Sequence, residues 1–423
     1  MIKIIALTTL SVLILSLTTP GPEKPASRDF HALTVEEKYE FIHYKENKLD
    51  FFGQSKNWKT LFDKMEKLAF EGSGRISIVH MGGSHVQGGF LPDKIRYNLT
   101  QMLYGAEGER GLVFPYELAK TNSPRSIKTK WTGKWTGCRS SVSSESCSWG
   151  MSGINATTYD KDASLTMRVF NYDSVAYQFD EVLVYSSAGK SGSMQVNILN
   201  SQQIETDETL PYKQFKLSAL SDSLELRIFV ADSTQNYFTL EGLYLRNSRS
   251  GLTYNAIGVN GASTGSYLKC ERMDEQLETL QADLVIFGIG VNDANVPEKD
   301  FNPAVYEARY DSLIAKYKRV NPNTCFLFVT NNDTYYQKSH PNRNAIQVRE
   351  TMVRLAEKHN GAVYDFFGIM GGLGSIKKWQ NESLAAHDKI HLSKKGYELQ
   401  ADMMSIAIRE AFGHYLDKKD IPN

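Results

Sequence analysis

Four short blocks of this sequence hold residue types that chemistry can use. The first, Met81-Gly-Gly-Ser-His-Val-Gln87, follows an apolar run that reads as a buried strand. A serine on a tight glycine turn between strand and helix exposes its hydroxyl and has helix N–H groups nearby for an oxyanion. The same pattern also serves as a plain structural turn. Gly258-Val-Asn-Gly-Ala-Ser263 is a second strand-to-helix junction, where a glycine either presents its bare N–H to a ligand or only makes the turn. Gly288-Ile-Gly-Val-Asn-Asp293 follows the apolar Leu284-Val-Ile-Phe287 and superficially has the look of a dinucleotide loop. Asp293 stands where that loop needs its third glycine, which excludes the reading. Asn292, at the strand's end, can donate a side-chain N–H instead. The fourth block, His387-Asp-Lys-Ile-His-Leu-Ser-Lys-Lys-Gly-Tyr397, puts Asp388 and His391 three residues apart just before the last helix. That spacing can set a carboxylate against an imidazole and fix its tautomer. His387 and His391 also have the i,i+4 spacing of two metal ligands. No Glu lies between them and no third ligand is evident, so no metal is expected. A charged surface turn is the bland alternative for this block.

The elements that must carry these blocks can be read from periodicity. Thr34-Val-Glu-Glu37 fits a capping box, and residues 37–70 have helical periodicity broken near Gly53. A strand over 76–81 and a helix over 93–104 follow. From 113 to 252 the chain turns rich in Ser, Thr, Tyr and Asn, with short alternating segments at 164–170, 181–185, 194–199, 224–230 and 238–245. Turn residues separate them at intervals typical of a β-sandwich. Afterwards strands and helices alternate: 254–259, 266–280, 282–287, 303–317, 324–330, 344–359, 362–366 and finally 394–412. Alternation of this kind predicts a parallel sheet covered by helices on both faces. The fold class expected is therefore α/β, interrupted by an inserted β domain.

Composition narrows the classes. The 423 residues imply two or three domains, and 41% hydrophobic with 11% aromatic content supplies real cores. With 48 Lys+Arg against 48 Asp+Glu the formal net charge is zero, so no general field draws in nucleic acid or anionic membrane. No nucleic-acid partner is expected. Lys3, the apolar run Ile4 to Leu17 and the small, turn-forming residues after it have the layout of a signal peptide over about 1–22, with an uncleaved anchor as the alternative. Export to the periplasm or medium is expected, with no membrane insertion after cleavage. Four cysteines are too few for a disulfide scaffold and none has CxxC spacing. In an oxidising compartment Cys138 and Cys147 can pair, whereas Cys270 and Cys325 read as buried small hydrophobes.

Taken together, the four blocks resemble those of the SGNH (GDSL-like) hydrolase superfamily, in the same order. The resemblance implies a flavodoxin-like three-layer α/β/α domain, discontinuous over 30–112 and 253–423 with an N-terminal helical extension. It implies Ser84 as nucleophile, Asp388 and His391 as its partners, and Ser84, Gly261 and Asn292 as the oxyanion-hole donors. Gly83 replaces the Asp of the family's Gly-Asp-Ser, which bears on the rigidity of the turn. Ser84 and Gly261 are 177 positions apart, and removing about 140 residues restores an ordinary spacing for this family. The insert, 113–252, resembles a jelly-roll-like carbohydrate-binding module. Ile78-Val-His-Met-Gly-Gly-Ser-His85 with Gly108-Glu-Arg-Gly-Leu-Val-Phe-Pro115 is similar to the peptidoglycan O-acetylesterase group, as are Tyr364-Asp365, Met370-Gly-Gly-Leu-Gly-Ser375 and Trp379 to related exported proteins. An exported serine esterase acting on O-acetylated peptidoglycan or another acetylated polysaccharide is thereby implied, with no cofactor. Acetyl xylan esterase, O-acetyltransferase and non-catalytic glycan binding are the alternatives. His85 reads as a structural residue at a helix start or a substrate contact. Trp131, Trp135, Trp149 and Trp379 read as core residues or sugar-stacking platforms.

Overall fold

The strand leading into the first glycine turn, Arg75–Gly82, lies inside a six-stranded sheet. The computed structural model describes residues 33–422 apart from 54, 55, 104, 105, 206 and 208, so the expected export segment lies outside the described residues. The order across the sheet is Asp50–Phe51, Ala362–Tyr364, Cys325–Val329, Leu284–Gly288, Arg75–Gly82 and Gly251–Gly258. Five of these strands run parallel, and Asp50–Phe51 closes one edge antiparallel to Ala362–Tyr364.

Both faces are covered, which is why the strands read as continuous apolar runs rather than alternating ones. Successive side chains point to opposite faces. Ile76, Ile78, Leu284 and Leu327 meet Trp58, Leu61, Leu99 and Ile408 of the helices Lys56–Glu71, Phe90–Met102 and Lys394–Lys418. On the other face Phe287 packs against Tyr310 and Tyr317 of the helix Pro303–Val320, with ring centroids 5.1 and 6.2 Å away.

Between the helix Phe90–Met102 and the strand Gly251–Gly258 the chain builds two further sheets, both antiparallel. One runs Ser201–Ile204, Tyr212–Ser221, Phe179–Ser186, Phe238–Arg246, Ile154–Thr158, Trp135–Arg139, with Gly111–Val113 added to Phe238–Arg246. The other runs Ile127–Trp131, Ser164–Val169, Ser223–Phe229, Gln195–Ile198. Leu165, Met167 and Val169 are buried at alternate positions, as are Leu224, Leu226 and Ile228. They share one hydrophobic cluster with Val182, Val184, Phe238 and Leu240 of the larger sheet.

Two elements differ from the sequence reading. The helix expected over 37–70 begins only at Lys56, so the N-terminal extension is not helical beyond the short turn Tyr44–Glu46. Asp50–Phe51 is taken by the sheet edge instead, and Phe51 packs edge-on against Trp58 at 5.0 Å. The helix expected over 266–280 is split into Thr264–Leu268 and Met273–Leu277. The Arg272 amide between them donates to the Trp149 carbonyl at 3.1 Å rather than continuing a helical ladder. Cys138 and Cys147 form a disulfide, while Cys270 and Cys325 are free and buried. Among the described residues no helix is long and apolar enough to cross a membrane.

One buried side chain makes stability depend on pH. His80, 1% exposed, has Nδ1 2.8 Å from the Tyr254 hydroxyl, and burial pushes its pKa down to about 3. The unfolded chain binds that proton near pH 6.5, so between about pH 6.5 and 3 the unfolded state is the more protonated. Stability is full above that window and falls as pH drops through it, by about 1.4 kcal/mol per pH unit from this residue. His80→Gln should flatten the slope by that amount in denaturant titrations across the window. An unchanged slope would contradict a buried neutral imidazole.

Candidate active site

The first three blocks come together because each follows the C-terminal end of a sheet strand, where loops of open α/β sheets converge, and the fourth joins them from the loop before the last helix. Gly83 follows the strand Arg75–Gly82 and caps the four-residue helix Ser84–Gln87. A side chain on Gly83 would put its first carbon 3.1 Å from Asn292 Nδ2 and 3.3 Å from the Ala262 carbonyl. The Asp to which the resemblance pointed would crowd both, so a residue without Cβ suits this turn.

Ser84 Oγ lies 2.7 Å from His391 Nε2, and His391 Nδ1 lies 2.7 Å from Asp388 Oδ2. A carboxylate only accepts, so Nδ1 carries the imidazole proton and Nε2 offers its lone pair to the serine hydroxyl. Asp388 Oδ1 accepts the backbone N–H groups of Ile390 and His391, both at 2.9 Å. Burial alone would raise the Asp388 pKa, but the hydrogen bonds from His391 and Ile390 outweigh it and hold the carboxyl below its ordinary value. The loop that carries the pair is fastened to the sheet by Asn332, whose amide donates to the Ile390 carbonyl at 2.8 Å.

The two remaining blocks meet opposite this chain. Gly261 has φ +80, the left-handed region that favours glycine. Asn292 Nδ2 donates one hydrogen to the Ala262 carbonyl at 2.9 Å, leaving its second N–H for a ligand. That atom sits beside the Gly83–Ser84 turn, where the first N–H groups of a helix have no intrahelical partner. As a candidate oxyanion donor Asn292 carries a definite expectation: Asn292→Ala should lower kcat on an acetyl ester about 10²–10³-fold. A loss confined to KM would contradict that role.

Several residues to which the sequence reading gave no bracing role hold this geometry. Asp293 accepts from the Thr264 N–H and from its hydroxyl at 2.6 Å, tying the third block to the second. Gln87, on the serine's own helix, accepts the Asn260 N–H at 2.6 Å and donates to the Asn122 carbonyl at 2.7 Å. Ser141, inside the disulfide loop, donates to the Asn260 carbonyl at 2.6 Å. The Gly261 turn is thus braced by the insert. In the sequence Gln87 only closes the first block, and Ser141 only belongs to a serine-rich stretch.

His85 has Nδ1 2.7 Å from the Tyr397 hydroxyl, and its ring lies 5.0 Å from that of His391. Burial and the neighbouring His391 push its pKa down to about 3, so it stays neutral. His387 makes no part of the Ser84–His391–Asp388 chain. Trp379, Trp149 and Trp135 are buried and bond carbonyls through their indole N–H, whereas Trp131 is 43% exposed.

Residues 234–399 match the model of the GDSL-like Lipase/Acylhydrolase family, a span that holds Gly261, Asn292, Asp388 and His391. Ser84 falls outside it, across the insert. No curated protein matches the sequence. Among solved structures, a peptidoglycan O-acetylesterase matches with TM-score 0.72 and 20% identity over 86% of this chain and 99% of its own. An acetyl xylan esterase matches with TM-score 0.30 and 21% identity over 37% of this chain and 81% of its own. A family two carbohydrate esterase from Cellvibrio japonicus matches with TM-score 0.29 and 10% identity over 69% and 99%. The first of these shares the fold, inserted sheets included.

Proposed function

We propose that this chain, a GDSL-like carboxylic ester hydrolase by its family model and its fold, is an exported serine esterase that removes O-acetyl groups from carbohydrate. O-acetylated peptidoglycan is the substrate we assign to it. The observation that carries the proposal is the continuous Ser84–His391–Asp388 hydrogen-bond chain, with both links at 2.7 Å, beside the Gly261 turn and the Asn292 amide.

In this reading Ser84 Oγ attacks the acetyl carbonyl carbon while its proton passes to His391 Nε2. Negative charge on the former carbonyl oxygen is met by the backbone N–H groups of Ser84 and Gly261 and by the Asn292 amide. Collapse expels the sugar oxygen, which takes the proton back from His391, and leaves acetyl-Ser84. Water, deprotonated by the same imidazole, attacks the acetyl group and releases acetate and the serine. Asp388 stays ionised throughout and holds the imidazole in the required tautomer. The steps balance with water as the only co-reactant.

The carbohydrate assignment draws support from the acetylesterase to which the chain is similar over 86% of its length, insert included. The test is acetate released from O-acetylated peptidoglycan by the protein and by Ser84→Ala, with acetylated xylan in parallel. Serine-dependent release that favours peptidoglycan is expected. Preference for xylan would move the substrate to plant polysaccharide. No release from either would overturn hydrolysis and leave acetyl transfer or glycan binding.

A further inference from the structure

We propose that a cavity beside the triad, walled jointly by the hydrolase domain and the inserted sheets, binds the carboxylate-bearing part of an acetylated glycan. The inference rests on the acetylesterase reading and specifies its substrate class. The cavity encloses about 440 Å³. One wall begins at Gly88, whose N–H donates to the Ser84 carbonyl at 3.0 Å, and at Lys394, three residues beyond His391. The opposite wall comes from the insert and contributes Arg125, Lys128, Phe170 and Tyr172. Tyr172 spans the two, its hydroxyl donating to the Glu398 carboxylate on the last helix. A ligand seated here therefore lies against the residues that directly follow the Ser84 helix and the His391 loop.

The charge of the lining selects the ligand. Arg125, Lys128 and Lys394 face one carboxylate, Asp93. Asp93 is already matched by two guanidiniums, bonding Arg96 and lying 3.7 Å from Arg110. Arg96 and Arg110 are 6% and 3% exposed, and among the described residues Arg96 Nη1 and Arg110 Nε have no hydrogen-bond partner. Ser126, another lining residue, accepts from Arg110 at 3.3 Å. Among the described residues Arg125 and Lys128 have no ion-pair partner, and Lys394 has only Glu398 at 3.6 Å. Two buried guanidiniums against the single lining carboxylate of Asp93, with the unpaired Arg125 and Lys128 in front of them, leave the cavity a net positive potential. A neutral sugar gains nothing from it. A carboxylate gains charge-assisted hydrogen bonds, while Phe170 and Tyr172 offer apolar surface to the rest of the ligand. In a cell-wall glycan the stem-peptide carboxylates, or the lactyl carboxylate where no peptide is attached, supply that charge next to acetylated sugar hydroxyls.

The experiment compares Arg125→Glu/Lys128→Glu with the parent, both in the Ser84→Ala background. Calorimetry measures binding of a muramyl peptide, which bears carboxylates, and of a neutral N-acetylglucosamine oligomer. Both substituted residues are exposed, and thermal melting checks that the fold is kept. We expect the muramyl peptide to bind the parent more tightly than the neutral oligomer, and the double substitution to weaken it at least about tenfold. With Ser84 present, the ratio of kcat/KM on O-acetylated peptidoglycan to that on acetylated xylan should fall by a similar factor. Equal binding of the acidic ligand by parent and variant, or no preference over the neutral one, overturns the inference. Failure of the esterase reading is separate: it shows as absence of Ser84-dependent acetate release and leaves the calorimetry interpretable.

Discussion

Ser84→Ala is expected to cut turnover of an acetyl ester by at least about 10⁴-fold while leaving the melting temperature nearly unchanged. Loss of a nucleophile removes the covalent route altogether, and what remains over water comes from binding and the oxyanion donors. Ser84 Oγ has His391 Nε2 as its partner, so removing it orphans no donor or acceptor of the core. The helix Ser84–Gln87 keeps its Gly83 cap and its Gln87 brace to Asn260. A variant that loses activity together with its fold would say nothing of chemistry, so kcat and thermal melting belong in the same experiment. Turnover within about tenfold of the parent would contradict the nucleophile assignment.

Asp388→Asn should cost about 10⁴-fold in kcat, for a different reason. Asp388 Oδ1 accepts from the Ile390 and His391 amides, and the side-chain carbonyl oxygen of an asparagine placed there can keep both bonds. The NH₂ of that asparagine would then face His391 Nδ1, which could no longer carry a proton there. The imidazole would be driven to hold its proton on Nε2, towards Ser84, where a base is needed. Geometry is preserved and the tautomer is wrong. An Asp388→Asn variant with near-parental kcat would show that the carboxylate does not set the tautomer.

Much of this was legible in the sequence because the blocks sit at strand-to-helix junctions whose glycines and polar residues have few alternative uses. The apolar runs 284–287 and 324–330 marked buried parallel strands, and the last helix was readable from its periodicity over 394–412, within Lys394–Lys418. The edge strand Asp50–Phe51 was not. Two residues carry no period, and their pairing with Val363 and Ala362 is fixed by tertiary contacts with a segment far along the chain. The bracing of the Gly261 turn was equally hidden. Gln87 and Ser141 act through backbone groups of Asn260, and a backbone partner leaves no trace in residue type. Gly83 shows the converse: a departure from the family pattern that sequence alone could only note finds its reason in the closeness of Asn292 and Ala262.

The insert bears on the site through named bonds. Ser141 and the Thr121–Asn122 segment reach the Gly261 turn through Asn260 and Gln87, and Tyr172 reaches the last helix through Glu398. Sheets added between the first two blocks therefore brace the loops beside Ser84.

Reaction of the protein with a serine-directed phosphonate ester, with the adduct mapped by peptide mass spectrometry, reports most directly on whether Ser84 is an activated nucleophile. A single adduct on Ser84 is expected, lost in His391→Ala because the hydroxyl is no longer activated. An adduct on another residue, or labelling of Ser84 undiminished without His391, would contradict that role.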